Sequence, residues 1–139
     1  MSPKLLTTDE ITERQRIARE WGLEGIEEIY LPTSEELRKR LTNLEQYGFS
    51  RQEIITMIRR SPHLLGHTAE RTRKLIEWFR FHQIEIDIAQ KPFCLIFALQ
   101  TLEMRRVQLE ELGWDYQQNP GPLFYSKKRW ENFLKRNIR

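Results

Sequence analysis

Apolar residues recur at helical spacing along nearly the whole chain, so the sequence predicts an all-α protein. Ile11, Ile17, Ala18 and Trp21 predict a first helix, opened by a Thr7…Glu10 capping box and closed by Gly22. Leu37, Leu41, Leu44 and Tyr47 follow at steps of four, three and three, the stripe of an amphipathic helix. Thr33 and Glu36 cap its start and Gly48 stops it. Ser50 and Glu53 cap a shorter helix carrying Ile54, Ile55, Met57 and Ile58. That helix ends at Pro62, because a proline pushes the preceding residue out of the helical region. Thr68 to Phe81 reads as another long helix, with Thr72, Leu75, Ile76 and Phe79 on its buried face. Leu102, Leu109 and Leu112 mark the next, stopped by Gly113, and Trp130, Phe133 and Leu134 mark the last.

The pattern repeats. Pro32, Pro62 and Pro92 lie thirty residues apart. Aligning the long helices places Leu44, Ile76 and Leu109 in one column, Tyr47, Phe79 and Leu112 in the next, and Gly48, Arg80 and Gly113 at the helix ends. Each unit then reads as proline, a short apolar turn, a long amphipathic helix and a second short helix. One such pair cannot bury its own stripe, so neighbours must stack. The expected architecture is a short right-handed α-solenoid of about three repeats over 31–139, capped by an acidic N-terminal helical segment, 1–30, the two forming a single compact domain.

Composition narrows the picture. Six glycines and six prolines in 139 residues disfavour a turn-rich β barrel or sandwich. The single cysteine, Cys94, excludes an internal disulfide framework and a multi-cysteine zinc site. The longest apolar run, Phe93 to Leu99, is seven residues and far too short to span a membrane. The N-terminal stretch has no apolar signal core and is too acidic for an ordinary transit peptide, so a soluble intracellular protein is expected from the residues alone. Charge is uneven: residues 1–30 hold four basic and seven acidic residues, whereas 31–139 hold nineteen basic and thirteen acidic. A chain that grows more basic toward one end points to an anionic partner there.

The run Leu44-Glu45-Gln46-Tyr47-Gly48-Phe49-Ser50, followed by Glu53-Ile54, Pro62-His63-Leu64-Leu65 and Glu70, resembles the repeat of the mitochondrial transcription termination factor (mTERF) family. Pro92-Phe93-Cys94-Leu95, with Leu102 to Arg106 and Leu109 to Trp114, is similar to a following unit. Pro122-Leu123-Phe124-Tyr125-Ser126 resembles the start of a truncated last one. The resemblance implies a non-enzymatic DNA- or RNA-binding protein, acting in organellar transcription, its termination or ribosome assembly, and resident in a mitochondrion or plastid.

Candidate catalytic chemistry is sparse. His63 and His67 stand four apart, a metal-binding spacing on a helix, but Pro62 and Gly66 break that helix and no further ligands lie near, so no metal is expected. Cys94 sits in an apolar run and reads as a core thiol. Gly22-Leu23-Glu24-Gly25 lacks the lysine and the preceding strand of a phosphate loop. No cofactor is expected.

Cations are more informative. Arg38, Lys39 and Arg40 straddle the polar side of one helix, and Arg59 and Arg60 end the short one. Arg71, Arg73 and Lys74 open the next long helix, Arg105 and Arg106 fall one unit later, and Lys127, Lys128 and Arg129 begin the last. Cations at a helix start oppose its dipole, so capping does not account for them. Recurring at unit starts, they would line one solenoid edge able to follow a phosphate backbone, although Arg73 and Arg106 also stand one helical turn from Glu70 and Glu103 and can simply pair with them. Of the aromatics, Phe79, Phe97, Phe133 and Trp130 read as core, and Trp78, beside the stripe, is the candidate exposed ring for base stacking. The competing reading is a helical scaffold, or a small subunit of a ribonucleoprotein or polymerase assembly, binding a protein through its acidic N-terminal helix.

Overall fold

The computed structural model describes residues 7–137, so the extreme ends of both predicted segments lie outside the described residues. Among these residues there are six α-helices and no strand: α1 (Thr8–Glu20), α2 (Ser34–Gln46), α3 (Arg51–Arg60), α4 (Ala69–Phe81), α5 (Leu99–Glu111) and α6 (Lys127–Asn137). Four 3₁₀ turns stand between them, at Glu28–Tyr30, Pro62–Gly66, Pro92–Leu95 and Gly121–Phe124. The all-helical repeat fold read from the spacing is therefore present.

The caps show why the helices start where they do. Thr7, Thr33, Ser50 and Thr68 each accept the backbone N–H three residues on, which satisfies one of the orphan donors of the first turn. Only Ser50 and Glu53 close a reciprocal capping box. Glu10 turns away from its own cap and accepts from the Ser34 N–H at 2.6 Å and hydroxyl at 2.9 Å, so it ties α1 to the start of α2. Glu36 pairs instead with Arg40 at 3.4 Å.

The C-terminal ends fix the register of the repeat. Leu23, Phe49, Ile84 and Trp114 donate their N–H groups back to the carbonyls of Ala18, Leu44, Phe79 and Leu109 at 2.7, 3.4, 3.1 and 2.9 Å. These are four Schellman closures, each with one residue in the left-handed region: Gly22, Gly48, Gln83 and Gly113, at φ of 74°, 94°, 52° and 72°. The counterpart of Leu44 and Leu109 is therefore Phe79 and not Ile76, and the counterpart of Gly48 and Gly113 is Gln83 and not Arg80. The sequence column slid by three residues because α4 closes on a glutamine, and a shift of three stays on the same helical face. Leu44, Ile76 and Leu109 are all buried in either register, at 3%, 0% and 0% exposure.

Two further expectations change. Pro62 and Pro92 open their turns six residues before the N-caps Thr68 and Ala98, whereas Pro32 stands after its turn and directly before Thr33, so its spacing of thirty does not mark an equivalent position. A second short helix is present only as α3; after α4 and α5 the chain makes turns at 88–90 and 116–118.

The long helices pack in chain order, α1 on α2 and α2 on α4, while α3 packs on the Pro62–Gly66 and Pro92–Leu95 turns. One apolar cluster runs from Ile17 to Trp130. Trp130 joins it as predicted, but Phe97 and Phe133 are only half-buried against its margin.

Candidate nucleic-acid interface

Arg14, Arg40 and Arg105 occupy equivalent positions, each four residues before Ala18, Leu44 and Leu109. Each sends its guanidinium to the end of the following 3₁₀ turn: Arg14 donates to the Leu31 carbonyl at 3.0 Å, Arg40 to Leu65, and Arg105 to Leu123 at 3.0 Å and Tyr125 at 2.6 Å. In α4 the equivalent position is the buried Leu75, and Arg71, one turn earlier, donates to Ile96 at 3.2 Å. One arginine per long helix thus satisfies carbonyls that a short turn leaves without intrahelical partners. The Nε atoms of Arg14, Arg40 and Arg105 are all buried without a partner, a shared environment that marks these three as one structural motif.

Two predicted phosphate ligands are therefore corrected. Arg105 is 5% exposed, lies 5.1 Å over the Trp130 ring, and burial lowers its pKa. Arg106 is largely buried between Glu103 and Glu110, its pKa raised by the Glu103 carboxylate. Neither stands on a solvated face. Arg59 and Arg60 are exposed but engaged: Arg59 donates to the Gly22 and Glu24 carbonyls at 2.9 and 3.2 Å, and Arg60 to Gln90 at 2.7 Å. Trp78 is also corrected, being buried with its indole N–H on Glu103 at 2.7 Å.

Glu103 accepts from both Arg106 and Trp78, and the Arg106 guanidinium holds its pKa down to about 2. A carboxylate held below its ordinary value stabilises the fold above about pH 4.5, and that contribution is lost as pH falls toward 2. Glu103→Gln should therefore flatten the stability–pH curve across this window, read by urea midpoints at stepped pH, and leave its alkaline limb unchanged.

The remaining predicted cations are accessible. Arg38 and Arg73 are equivalent in the corrected register, as are Lys39 and Lys74, so α2 and α4 present the same two cations at the same height on neighbouring helices. Grooves flank them. One of about 540 Å³ is bordered by Ile17 of α1, Arg38, Lys39 and Thr42 of α2, and Ala69 of α4. A second, of about 410 Å³, lies between Arg71 and Lys74 of α4 and Leu99 and Gln100 of α5. Arg38 is within 3.6 Å of Glu13, Arg73 within 3.1 Å of Glu77 and Lys74 within 3.4 Å of Glu70, exposed pairs that are weak and exchangeable. The line stops at α5, where the equivalent residues are Glu103 and Met104. Lys127, Lys128 and Arg129 are exposed at the start of α6, outside that register, with Arg129 4.0 Å over the Tyr125 ring.

The described residues contain no group of three His, Cys, Asp or Glu placed to hold a metal. Burial pushes the Cys94 thiol up to about 12, so it carries no thiolate at neutral pH. His63 packs edge-on against Tyr30 at 5.0 Å, and burial with neighbouring Arg71 and Arg40 holds the His67 pKa below its ordinary value. No helix among the described residues is long and apolar enough to cross a membrane.

The Nε orphans, the closure of α4 on Gln83 and the accessible lysines have no individual signature in sequence, since a lysine facing solvent and an arginine reaching a carbonyl occupy the same polar face of a helix. Compared with known proteins, residues 26–120 match the family model described as mTERF. Neither the curated proteins nor the solved structures contain a significant match to the chain.

Proposed function

The chain belongs to the mTERF family, helical-repeat regulators of organellar gene expression that bind nucleic acid, and from that premise we propose that this member docks on a phosphate backbone through the α2–α4 edge. The observation that carries the reading is the repetition of Arg38-Lys39 as Arg73-Lys74 at equivalent positions, with one groove lined by Arg38 and Lys39 and another by Lys74. Cations spaced by a structural repeat suit a polyanion whose charges are themselves evenly spaced. The contacts this reading invokes are to phosphates, which position a protein on a nucleic acid and carry no sequence information themselves. The protein carries out no catalysis in this reading; its role is regulatory, in transcription, its termination or ribosome assembly within an organelle.

Charge reversal tests it. Lys39→Glu combined with Lys74→Glu should weaken binding to duplex DNA and to RNA of any sequence alike. The dependence of log affinity on log salt should become shallower by about two on duplex DNA, one per lost phosphate contact. Both side chains are exposed, so the lost Lys74–Glu70 pair and the new like-charge neighbours should lower stability by no more than about 1 kcal/mol. Unaltered affinity at matched salt would remove this edge as the interface.

A protein-binding reading has one observation in its favour. Phe81 is 80% exposed and Met104 55% exposed, and Met104 takes the place of Lys39 and Lys74 where the cation line ends. An apolar interface there would respond weakly to salt, so the same titration separates the two.

A further inference from the structure

Away from the α2–α4 edge, a cleft of about 500 Å³ opens between the segment 85–91, the segment 118–121 and the start of α6. We propose that it holds an unpaired nucleobase and the phosphate attached to it. This rests on the nucleic-acid reading only for the source of the nucleotide, since the chemistry of the cleft stands on its own residues.

Three aromatic rings line it. Phe93 is 42% exposed and sits edge-on to Phe124, with ring centres 5.5 Å apart; Tyr125 is half-buried beneath the Arg129 guanidinium. An exposed ring backed by a buried cluster is a stacking platform, and every base has a π-face to lay on it. Lys91 and Arg129 stand at the rim, both exposed, and Lys91 has no ion pair among the described residues. They supply the positive charge that a phosphate needs.

The polar edge is selective. Gln118 donates to Glu85 at 3.0 Å, and both line the cleft. An ionised carboxylate only accepts hydrogen bonds and retains lone pairs beyond the one Gln118 uses. It therefore favours a base with an exocyclic amine, as cytosine, adenine and guanine have, over thymine or uracil, whose one ring donor, N3–H, stands between two carbonyl oxygens that repel a carboxylate. The walls are also set in advance: the Glu85 N–H donates to the Gln117 carbonyl at 2.8 Å, the Gln117 side chain to His82 at 2.9 Å, and the Trp114 indole to Asn119 at 2.9 Å. A cleft pinned in this way loses little entropy when it is filled.

The experiment compares three nine-residue single strands at one salt concentration: oligodeoxycytidine, oligodeoxythymidine and an abasic phosphodiester. The parent should bind them in that order. Phe93→Leu should weaken oligodeoxycytidine binding roughly five- to hundredfold, the range of one lost base stack, and leave the abasic strand unchanged. Phe93→Tyr should restore it, which excludes a folding defect as the cause. Glu85→Gln should narrow the preference for cytidine over thymidine. Competition with CMP distinguishes a free nucleotide from a base presented by a strand, and displacement by either leaves the cleft as the site. Lys39→Glu with Lys74→Glu should weaken all three strands equally, so failure of the edge and failure of the cleft give different patterns. Equal binding of the cytidine and abasic strands by the parent, or no effect of Phe93→Leu on the cytidine strand, overturns the proposal.

Discussion

Reversing Arg105 and Arg106 to glutamate will unfold the C-terminal part of this protein before it changes any interface. The Arg105 guanidinium is the donor for the Leu123 and Tyr125 carbonyls, the two groups that end the Gly121–Phe124 turn and lead into α6. A buried acceptor left without a donor costs about 1–3 kcal/mol, and two are exposed to that loss at once. A carboxylate at the same place adds an unpaired buried charge facing carbonyl oxygens, which repel it. Glutamate at 106 would meet Glu103 and Glu110, which now pair with a cation. The expected loss is at least about 4 kcal/mol, a large part of the 5–15 kcal/mol that holds a domain of ordinary stability. Urea titration followed by helical circular dichroism checks it, and Arg105→Lys, which can still reach one carbonyl, should lose less. A double variant with the parent's urea midpoint would mean that Arg105 does not hold this turn. Lost nucleic-acid binding in the double variant would report unfolding, whereas the Lys39 and Lys74 reversal reports the interface.

That contrast shows how much the sequence discloses. Helix existence and type were legible from the 3.6-residue stripe, and the starts of α1 to α4 from a Thr or Ser whose oxygen meets the N–H three residues on, whereas α5 opens after Ala98, which has no side chain to cap it. The family was legible because Gly48-Phe49-Ser50 and Pro62-His63-Leu64-Leu65 are contiguous runs. Arg105 was not. Its neighbours in sequence give it a helical address, but the carbonyls it serves are 18 and 20 residues away, and only tertiary structure brings them under the guanidinium. Arg73 and Arg106 looked alike because each lies three residues after a glutamate, yet Arg73 is on the accessible face with Glu77 and Arg106 is sunk between α5 and Tyr116. Charge alone therefore overcounted the interface, and the cleft around Phe93 and Arg129 was invisible because its walls come from separate segments.

Replacing Phe79 with alanine should cost about 3–5 kcal/mol, the range for a large aromatic removed from a packed core. Its ring is 2% exposed and joins α4 to the Gly121–Phe124 turn, with ring centres 5.1 Å from Trp78 on its own helix and 6.0 Å from Phe124. It also supplies the carbonyl that Ile84 closes upon, so the cavity would open where α4 ends. Because Ile76 is equally buried, the loss at Phe79 alone does not fix the repeat register, and two glycine substitutions do. Gln83 holds a left-handed conformation that costs an L-residue about 1–2 kcal/mol, partly offset in glycine by the greater freedom of its unfolded chain. Gln83→Gly should therefore raise stability by a few tenths to about 1 kcal/mol. Arg80 is inside the helix and donates to the Tyr47 carbonyl at 2.6 Å, so Arg80→Gly should lower stability by about 1 kcal/mol or more. Opposite signs at these two positions, three residues apart on one helix end, place Gln83 with Gly48 and Gly113. The reverse signs would restore Arg80 to that column and return Ile76 to the position of Leu44.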